Sequence, residues 1–141
     1  MPASAKLLEA GSELPALKKT ITQRQIDCYS GVRPQSIHTD VEWAKAKGFP
    51  APLAQALMST AYVSQMMVAW LGKGFVQGGK ISASFIKPVI VGDTLTARAV
   101  VKSHEEIGGR PHVTVECWCE NQQGVKTLVG SASGFADHLR V

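Results

Sequence analysis

Residues 53–71 read LAQALMSTAYVSQMMVAWL, an apolar stretch that approaches the length needed to span a membrane. Polar side chains interrupt it at Gln55, Ser59, Thr60, Ser64 and Gln65, which disfavours a helix that faces lipid. The stretch is apolar on most sides, and its many small side chains permit close approach of a sheet. We therefore predict a long helix that starts near Leu53 and is buried inside the fold.

Downstream of Lys80 the apolar pattern changes to a period of two, which is typical of strands. Gly108-Gly109 and Gln123-Gly124 are hairpin signals between the later strands. One long helix and an antiparallel meander predict an α+β domain in which a curved sheet wraps around the buried helix. The expected strands cover residues 80–87, 94–102, 112–121 and 125–135.

Two short helices are predicted upstream of the long one. Thr22 and Gln25 form a capping-box pattern ahead of a helix that contains Tyr29 and stops before Pro34. Thr39 and Asp40 are both candidate N-caps for a second short helix. Residues 1–19 are expected to be loosely ordered and to contain at most one early strand. Without a repeat, linker or shift in composition, residues 1–141 are interpreted as a single domain.

Composition excludes several function classes. The net charge of the 141-residue chain is +4, and its basic residues do not cluster among aromatics, so nucleic acid is a poor candidate partner. Three cysteines and an N-terminus without an apolar leader favour a reducing, cytoplasmic location without disulfides. Cys117 and Cys119 lie two apart in a strand pattern, which favours burial on one face rather than a metal site. The histidines show no metal-ligand spacing.

Three blocks of sequence resemble the MaoC-like hydratase and dehydratase family. They are Ser36-Ile37-His38-Thr39-Asp40, then Leu53-Ala54-Gln55-Ala56-Leu57-Met58, and then Phe85-Ile-Lys-Pro-Val-Ile-Val-Gly-Asp93. The family has the corresponding motifs Asp-x-Asn-Pro-(Ile/Leu)-His-x-Asp, Ile-Ala-His-Gly-Met and Phe-x-x-Pro-Val-x-x-Gly-Asp. Their spacing agrees over roughly residues 20–135. The resemblance implies the hot-dog fold and, as substrate, an acyl thioester of coenzyme A or of an acyl carrier protein, with no separate cofactor and no metal.

The resemblance also implies roles for individual residues. His38 takes the position of the catalytic histidine, and Ala56 takes that of a glycine whose backbone amide holds the thioester carbonyl. Arg33 stands where the family has its catalytic aspartate. Gln35, Gln55 and Ser64 correspond to family positions that bind the substrate or support the catalytic residues. Tyr29 is a further candidate for substrate binding, because its hydroxyl is a hydrogen-bond donor within reach of the pocket.

Arg33 leaves the chemistry open. A guanidinium cannot act as a base at neutral pH, but its charge would favour the neutral form of a nearby His38. Arg33 is equally consistent with a guanidinium that binds a carboxylate or phosphate through two parallel hydrogen bonds, and with a loop side chain exposed to solvent. Asp40 can replace the missing acid, although a capping role suffices to explain it.

Three functions are therefore considered. The first is a hydratase or dehydratase acting on 2-enoyl and 3-hydroxyacyl thioesters, with His38 as base. The second is a non-catalytic or altered thioester-binding subunit that works with a catalytic partner. The third is another reaction on the same fold, such as thioester hydrolysis. In each case we expect a homodimer or larger homo-oligomer, because single hot-dog domains pair their sheet edges, and we expect no membrane partner.

Overall fold

The structure is a computed structural model and describes residues 9–139. A short strand and two short helices precede the long helix, and the remaining strands follow it. The elements are β1 (Leu17–Thr20), α1 (Gln23–Ser30), α2 (Val41–Ala46), α3 (Ala56–Leu71), α4 (Lys73–Val76), β2 (Lys80–Phe85), β3 (Thr94–Ile107), β4 (Arg110–Glu120), β5 (Lys126–Phe135) and a 3₁₀ turn (Asp137–Leu139).

The five strands form one antiparallel sheet in the order β1-β3-β4-β5-β2. Two local hairpins join β3 to β4 and β4 to β5. Strand β2 lies against β5, with Ile81 opposite Ala132, so the chain returns to the far edge of the sheet. Gly130 permits this pairing, because a Cβ there would collide with the Ser82 carbonyl oxygen. Strands β1 and β2 are therefore the two edges of the sheet.

Helix α3 packs against all five strands and supplies one side of the core. Its inward side chains meet the inward faces of β3, β4 and β5, which alternate with exposed positions as expected of a half-buried sheet. The chain thus has the predicted α+β hot-dog fold. The buried residues include Met58, Val63, Met66, Met67 and Leu71 of the helix and Leu95, Ala97, Val101, Val113, Val115, Leu128 and Ala132 of the sheet.

Several boundaries differ from the predictions. Helix α3 begins at Ala56 rather than near Leu53, because Gln55 is extended and Leu53 forms a bridge to Ile90. Helix α1, in contrast, ends at Ser30 with Gly31 as its C-cap at a backbone φ of +79°, and so stops before Pro34 as predicted. The capping box of α1 is present as predicted, and strand β3 continues to Ile107, well beyond its expected end.

The segment before β1 is more ordered than the expectation of a loose terminus. The Gly11 amide donates to the Val101 carbonyl oxygen at 2.9 Å, and the Leu14 amide donates to the Ala99 carbonyl oxygen at 3.0 Å. Leu14 is also buried, with 7% of its surface exposed. Residues 11–14 therefore continue the edge of the sheet along β3, and residues 1–8 lie outside the described part.

The cysteines take the places that the strand pattern predicts. Cys117 and Cys119 are buried on the inner face of β4, whereas Cys28 is exposed on α1. Burial raises the pKa of the Cys117 thiol to about 11 and that of Cys119 to about 12. Both thiols are therefore protonated at neutral pH and behave as small core residues.

Helices long and apolar enough to cross a membrane do not occur within residues 9–139.

Candidate active site

The loop between α1 and α2 holds His38 in place through its own polar groups. The His38 amide donates to Ser36 Oγ at 3.1 Å, and Gln23 of α1 donates its side-chain Nε2 to the His38 carbonyl oxygen at 2.9 Å. On the far side, the Leu53 amide donates to the Ile37 carbonyl oxygen at 2.9 Å. The loop is thus tied to α1 and to the segment that leads into α3.

The His38 ring is oriented by a single backbone acceptor. Its Nδ1 lies 2.8 Å from the carbonyl oxygen of Leu53. A carbonyl oxygen can only accept a hydrogen bond, so Nδ1 carries the proton when the imidazole is neutral. The lone pair of the neutral ring is then on Nε2, which makes Nε2 the atom able to accept a proton from a substrate or a water.

His38 lines a cavity of about 320 Å³ beside the start of α3. Its walls come from the segment before α3, the first turn of that helix, the turn after β2, and β5. Most of the lining side chains are apolar, and no Asp or Glu is among them. The lining comprises Ile37, His38, Leu53, Ala54, Ala56, Ser59, Phe85, Ile86, Lys87, Pro88, Val89 and Thr127.

The third sequence block builds one wall of this cavity. Asp93 Oδ2 accepts from the Ile90 amide at 2.9 Å and closes the turn after β2, in which Gly92 has a backbone φ of +93°. The Ala54 amide then donates to the Val89 carbonyl oxygen at 2.8 Å. These contacts hold the turn against the segment before α3, with Pro88 and Val89 in the cavity wall.

Ala56 is the first residue of α3 and lines the same cavity as His38. The first amides of a helix have no partner within the helix, and the helix dipole makes this end favourable for negative charge. The N-cap residue, Gln55, makes no side-chain capping bond to this helix start. When its imidazole is neutral, His38 thus offers an unprotonated Nε2, and the start of α3 offers backbone amides suited to an oxyanion.

Asp40 and Arg33 lie outside the cavity lining. Asp40 is the N-cap of α2, and its carboxylate accepts from the Gln35 amide at 2.9 Å and from the Trp43 amide at 3.1 Å. These bonds hold the pKa of Asp40 below its ordinary value. The backbone of Arg33 is bonded to the Thr39 hydroxyl, and its side chain is exposed.

The predicted binding residues are likewise absent from the cavity wall. Gln55 is buried and donates from Nε2 to the Ile26 carbonyl oxygen at 3.1 Å and to Ser30 Oγ at 2.7 Å. It therefore joins the start of α3 to α1. Ser64 lies farther along α3 and is half-buried, whereas Tyr29 is exposed on α1. Gln35 is exposed in a turn, with a backbone φ of +56°.

The cavity contains polar residues that the sequence did not single out, namely Ser59, Lys87 and Thr127. Lys87 lies within the third sequence block, which was a signal for the turn but not for a side chain at the site. Ser59 lies three residues after Ala56, so a helical spacing places the two on one face. Helix α3 is apolar on most sides, and its pattern therefore does not reveal which face fronts the cavity.

A second, larger surface cavity of about 510 Å³ lies at the opposite end of α3. Its wall includes Trp70, Lys73 and the ion pair between Arg110 and Asp137. None of the three sequence blocks reaches it, so the smaller cavity at His38 is the candidate site. Within the described range, no cluster of three or more His, Cys, Asp or Glu side chains suits a metal ion.

Comparison with known proteins agrees with the three sequence blocks. A family model described as a MaoC like domain matches residues 9–125. No curated protein matches the chain.

Solved structures share the fold at low sequence identity. The R-hydratase PhaJ1 from Pseudomonas aeruginosa is 24% identical, covers 94% of this chain and 84% of its own, and gives a TM-score of 0.75. A monoamine oxidase regulatory protein from Archaeoglobus fulgidus is also 24% identical, with 93% and 92% covered and a TM-score of 0.75. The ChsH1-ChsH2 complex from Mycobacterium tuberculosis is 21% identical, with 90% and 98% covered and a TM-score of 0.72.

Proposed function

Because the chain belongs to the MaoC-like domain family, we propose that it interconverts a 2-enoyl thioester and a 3-hydroxyacyl thioester by adding or removing water. The observation that carries the proposal is the hydrogen bond from His38 Nδ1 to the Leu53 carbonyl oxygen, because it leaves Nε2 free to act as a base on a residue that lines the cavity. The R-hydratase among the similar folds supports the same class of reaction.

In this mechanism His38 and the start of α3 act on opposite ends of the conjugated system. Nε2 takes a proton from water as the water oxygen bonds to the β-carbon. Electron density moves to the thioester oxygen, where the Ala56 amide and the helix dipole stabilise the negative charge. The proton held by His38 is then returned to the α-carbon. Ala56 serves through its backbone, so the absence of a glycine leaves this role intact.

The cavity walls suit an acyl group. Leu53, Phe85, Ile86, Pro88 and Val89 provide apolar surface, and ligand pockets are commonly apolar with a few directed polar groups. The thioester is part of the substrate, carried on coenzyme A or an acyl carrier protein, and the proposed reaction needs no further cofactor. We place the reaction in the cytoplasm.

Turnover of conjugated thioesters tests the proposal. Purified protein is mixed with trans-2-butenoyl-, hexenoyl- and octenoyl-CoA, and the loss of absorbance of the conjugated thioester is followed. Removing the base in His38→Ala is expected to lower kcat at least about a hundredfold. Circular dichroism shows whether the variant remains folded. Absence of turnover on every chain length, or full activity of a folded His38→Ala, would refute the proposal.

A second candidate function is a thioester-binding subunit that needs a catalytic partner. It is favoured by the described cavity lining, which contains no carboxylate to share the work of His38. The ChsH1-ChsH2 complex is a two-protein structure of similar fold. Co-purification with candidate partners, followed by activity assays of each mixture, tests this alternative. Robust hydration by the purified chain alone would exclude it. Thioester hydrolysis would need an acidic residue to activate water, and the described cavity lining has no Asp or Glu, so it is the weakest of the three functions.

We further propose that the chain forms a homodimer through the β2 edge. Among the described residues β2 pairs only with β5, and the apolar side chains of its last residue, Phe85, and of the following Ile86 are 47% and 49% exposed. Both residues also line the cavity, so a second copy at this edge would enclose the site. Sedimentation at micromolar concentration is expected to give a dimer or larger assembly, and a monomer would contradict the assignment.

A further inference from the structure

Among the described residues, Ser59 has the one buried hydroxyl of the His38 cavity lining that is not tied to another protein group. Polar side chains enter the wall at His38, Ser59, Lys87 and Thr127. The Thr127 hydroxyl donates to the Cys119 carbonyl oxygen at 3.3 Å, and this bond ties the hydroxyl to β4 and fixes the direction of its lone pairs. Lys87 is exposed and offers a cation rather than a hydroxyl. Ser59 is only 4% exposed and faces the cavity from α3.

Ser59 is also well placed relative to the other functional groups. It follows Ala56 by three residues, nearly one helical turn, so the two residues share the face of α3 that borders the cavity. His38, in the loop between α1 and α2, lines the same cavity. A volume of about 320 Å³ holds roughly ten waters at about 30 Å³ each, so a thioester and one ordered water fit together.

We propose that Ser59 is a positioning residue for the water that adds to the double bond. This inference rests on the proposed hydratase function. The Ser59 hydroxyl oxygen accepts one O–H of the water, which directs the other O–H at His38 Nε2. Nε2 takes that proton as the water oxygen bonds to the β-carbon, and the π electrons move to the thioester oxygen. The His38 imidazolium then gives its proton to the α-carbon, and Ser59 neither gains nor loses a proton.

The other candidates for this role are engaged elsewhere. The carboxylate of Asp40 accepts two backbone amides at the start of α2. The side-chain amide of Gln55 bonds α1, and Arg33 and Ser64 are outside the cavity wall. Ser59 therefore supplies the second contact to water that the family motif would place on an aspartate at position 33. A serine can orient a water but cannot act as a base at neutral pH.

Three variants on α3 test the inference. Ser59→Ala removes the hydroxyl, and Ser59→Thr restores it. Thr60→Val is the matched control, because it removes the neighbouring hydroxyl, which is buried without a partner and does not line the cavity. For Ser59→Ala we expect kcat to fall about tenfold to a hundredfold with little change in KM. Ser59→Thr should recover most of the lost kcat, and Thr60→Val should match the wild type. Thermal unfolding is recorded for all three.

The pH profile separates positioning from proton transfer. Because Ser59 holds water and His38 accepts the proton, Ser59→Ala should keep the shape of the wild-type profile at a lower rate. If the wild type is active and Ser59→Ala has the same kcat, the role of Ser59 is refuted and the hydratase proposal stands. A Thr60→Val loss equal to that of Ser59→Ala would also overturn it, since the effect would then belong to helix packing. An inactive wild type would refute the hydratase proposal and this inference with it.

Discussion

Replacing Gln55 with glutamate tests whether this side chain supports the fold or contacts substrate. Its Nε2 donates to the Ile26 carbonyl oxygen and to Ser30 Oγ, and only 8% of the residue is exposed. Glutamate has almost the same shape, but its ionised form has no hydrogen to donate. Gln55→Glu therefore places a buried carboxylate beside a carbonyl oxygen, although the Ser30 hydroxyl can turn to donate to it.

The loss of folding stability in Gln55→Glu follows from these contacts. The lost side-chain hydrogen bonds to Ile26 and Ser30 cost about 1–3 kcal/mol, and the buried charge brings the total to about 3–5 kcal/mol at neutral or higher pH. Burial raises the pKa of an introduced glutamate in the folded state above its unfolded value. Stability is then retained at low pH and is lost as the pH rises through the folded value. The penalty at about pH 8 should thus exceed the penalty at about pH 5.

Urea unfolding followed by circular dichroism measures the effect at both pH values. Gln55→Met is the matched control, because it keeps the volume without a charge. It should lose about 1–2 kcal/mol, with no dependence on pH, through the missing hydrogen bonds. If Gln55→Glu unfolds at the same urea concentration as the wild type at pH 8 while KM alone changes, Gln55 contacts substrate and our structural reading is wrong.

Three further predictions follow from single contacts. Asp40→Ala should lower Tm at neutral pH because α2 loses its N-cap. The difference in Tm from the wild type should shrink as the pH falls below 3.8, because protonation of Asp40 in the wild type removes the same contribution, and a difference that widens in acid would contradict this. Alkylation at pH 8 should modify Cys28 in the folded protein and the two β4 cysteines only after unfolding, as mass spectrometry of peptides would show; rapid labelling of the β4 thiols would contradict their burial. Gly130→Ala should destabilise the protein by about 1–3 kcal/mol in urea unfolding, because its Cβ collides with the Ser82 carbonyl oxygen; wild-type stability would show that β2 lies farther from β5.

Local patterns in the sequence account for much of the fold. The capping box at Thr22, the N-cap at Asp40 and the two glycine turns act over a few residues, and each is present in the structure. The pairing of β2 with β5 joins residues about 50 positions apart, such as Ile81 and Ala132, and no local pattern specifies it. The meander was therefore predictable, whereas the order of its edge strands was not.

The site was predictable only in part. Motif spacing led to His38 and Ala56, and both line the same cavity. The same correspondence suggested binding roles for Gln55 and Ser64, but side-chain direction depends on what each helix face meets in three dimensions. Gln55 turns toward α1, and Ser59, which the motifs do not include, faces the cavity. An apolar helix with polar residues on several faces does not show from sequence which of them front the site.

The most direct test of the proposed function follows the oxygen atom of water. The wild type and His38→Ala are incubated with trans-2-butenoyl-CoA in oxygen-18 water, and the products are identified by mass spectrometry. Our account predicts one oxygen-18 atom in 3-hydroxybutanoyl-CoA from the wild type and almost none from the variant. Label in a released free acid, or equal labelling of 3-hydroxybutanoyl-CoA by both proteins, would contradict a hydratase that uses His38 as its base.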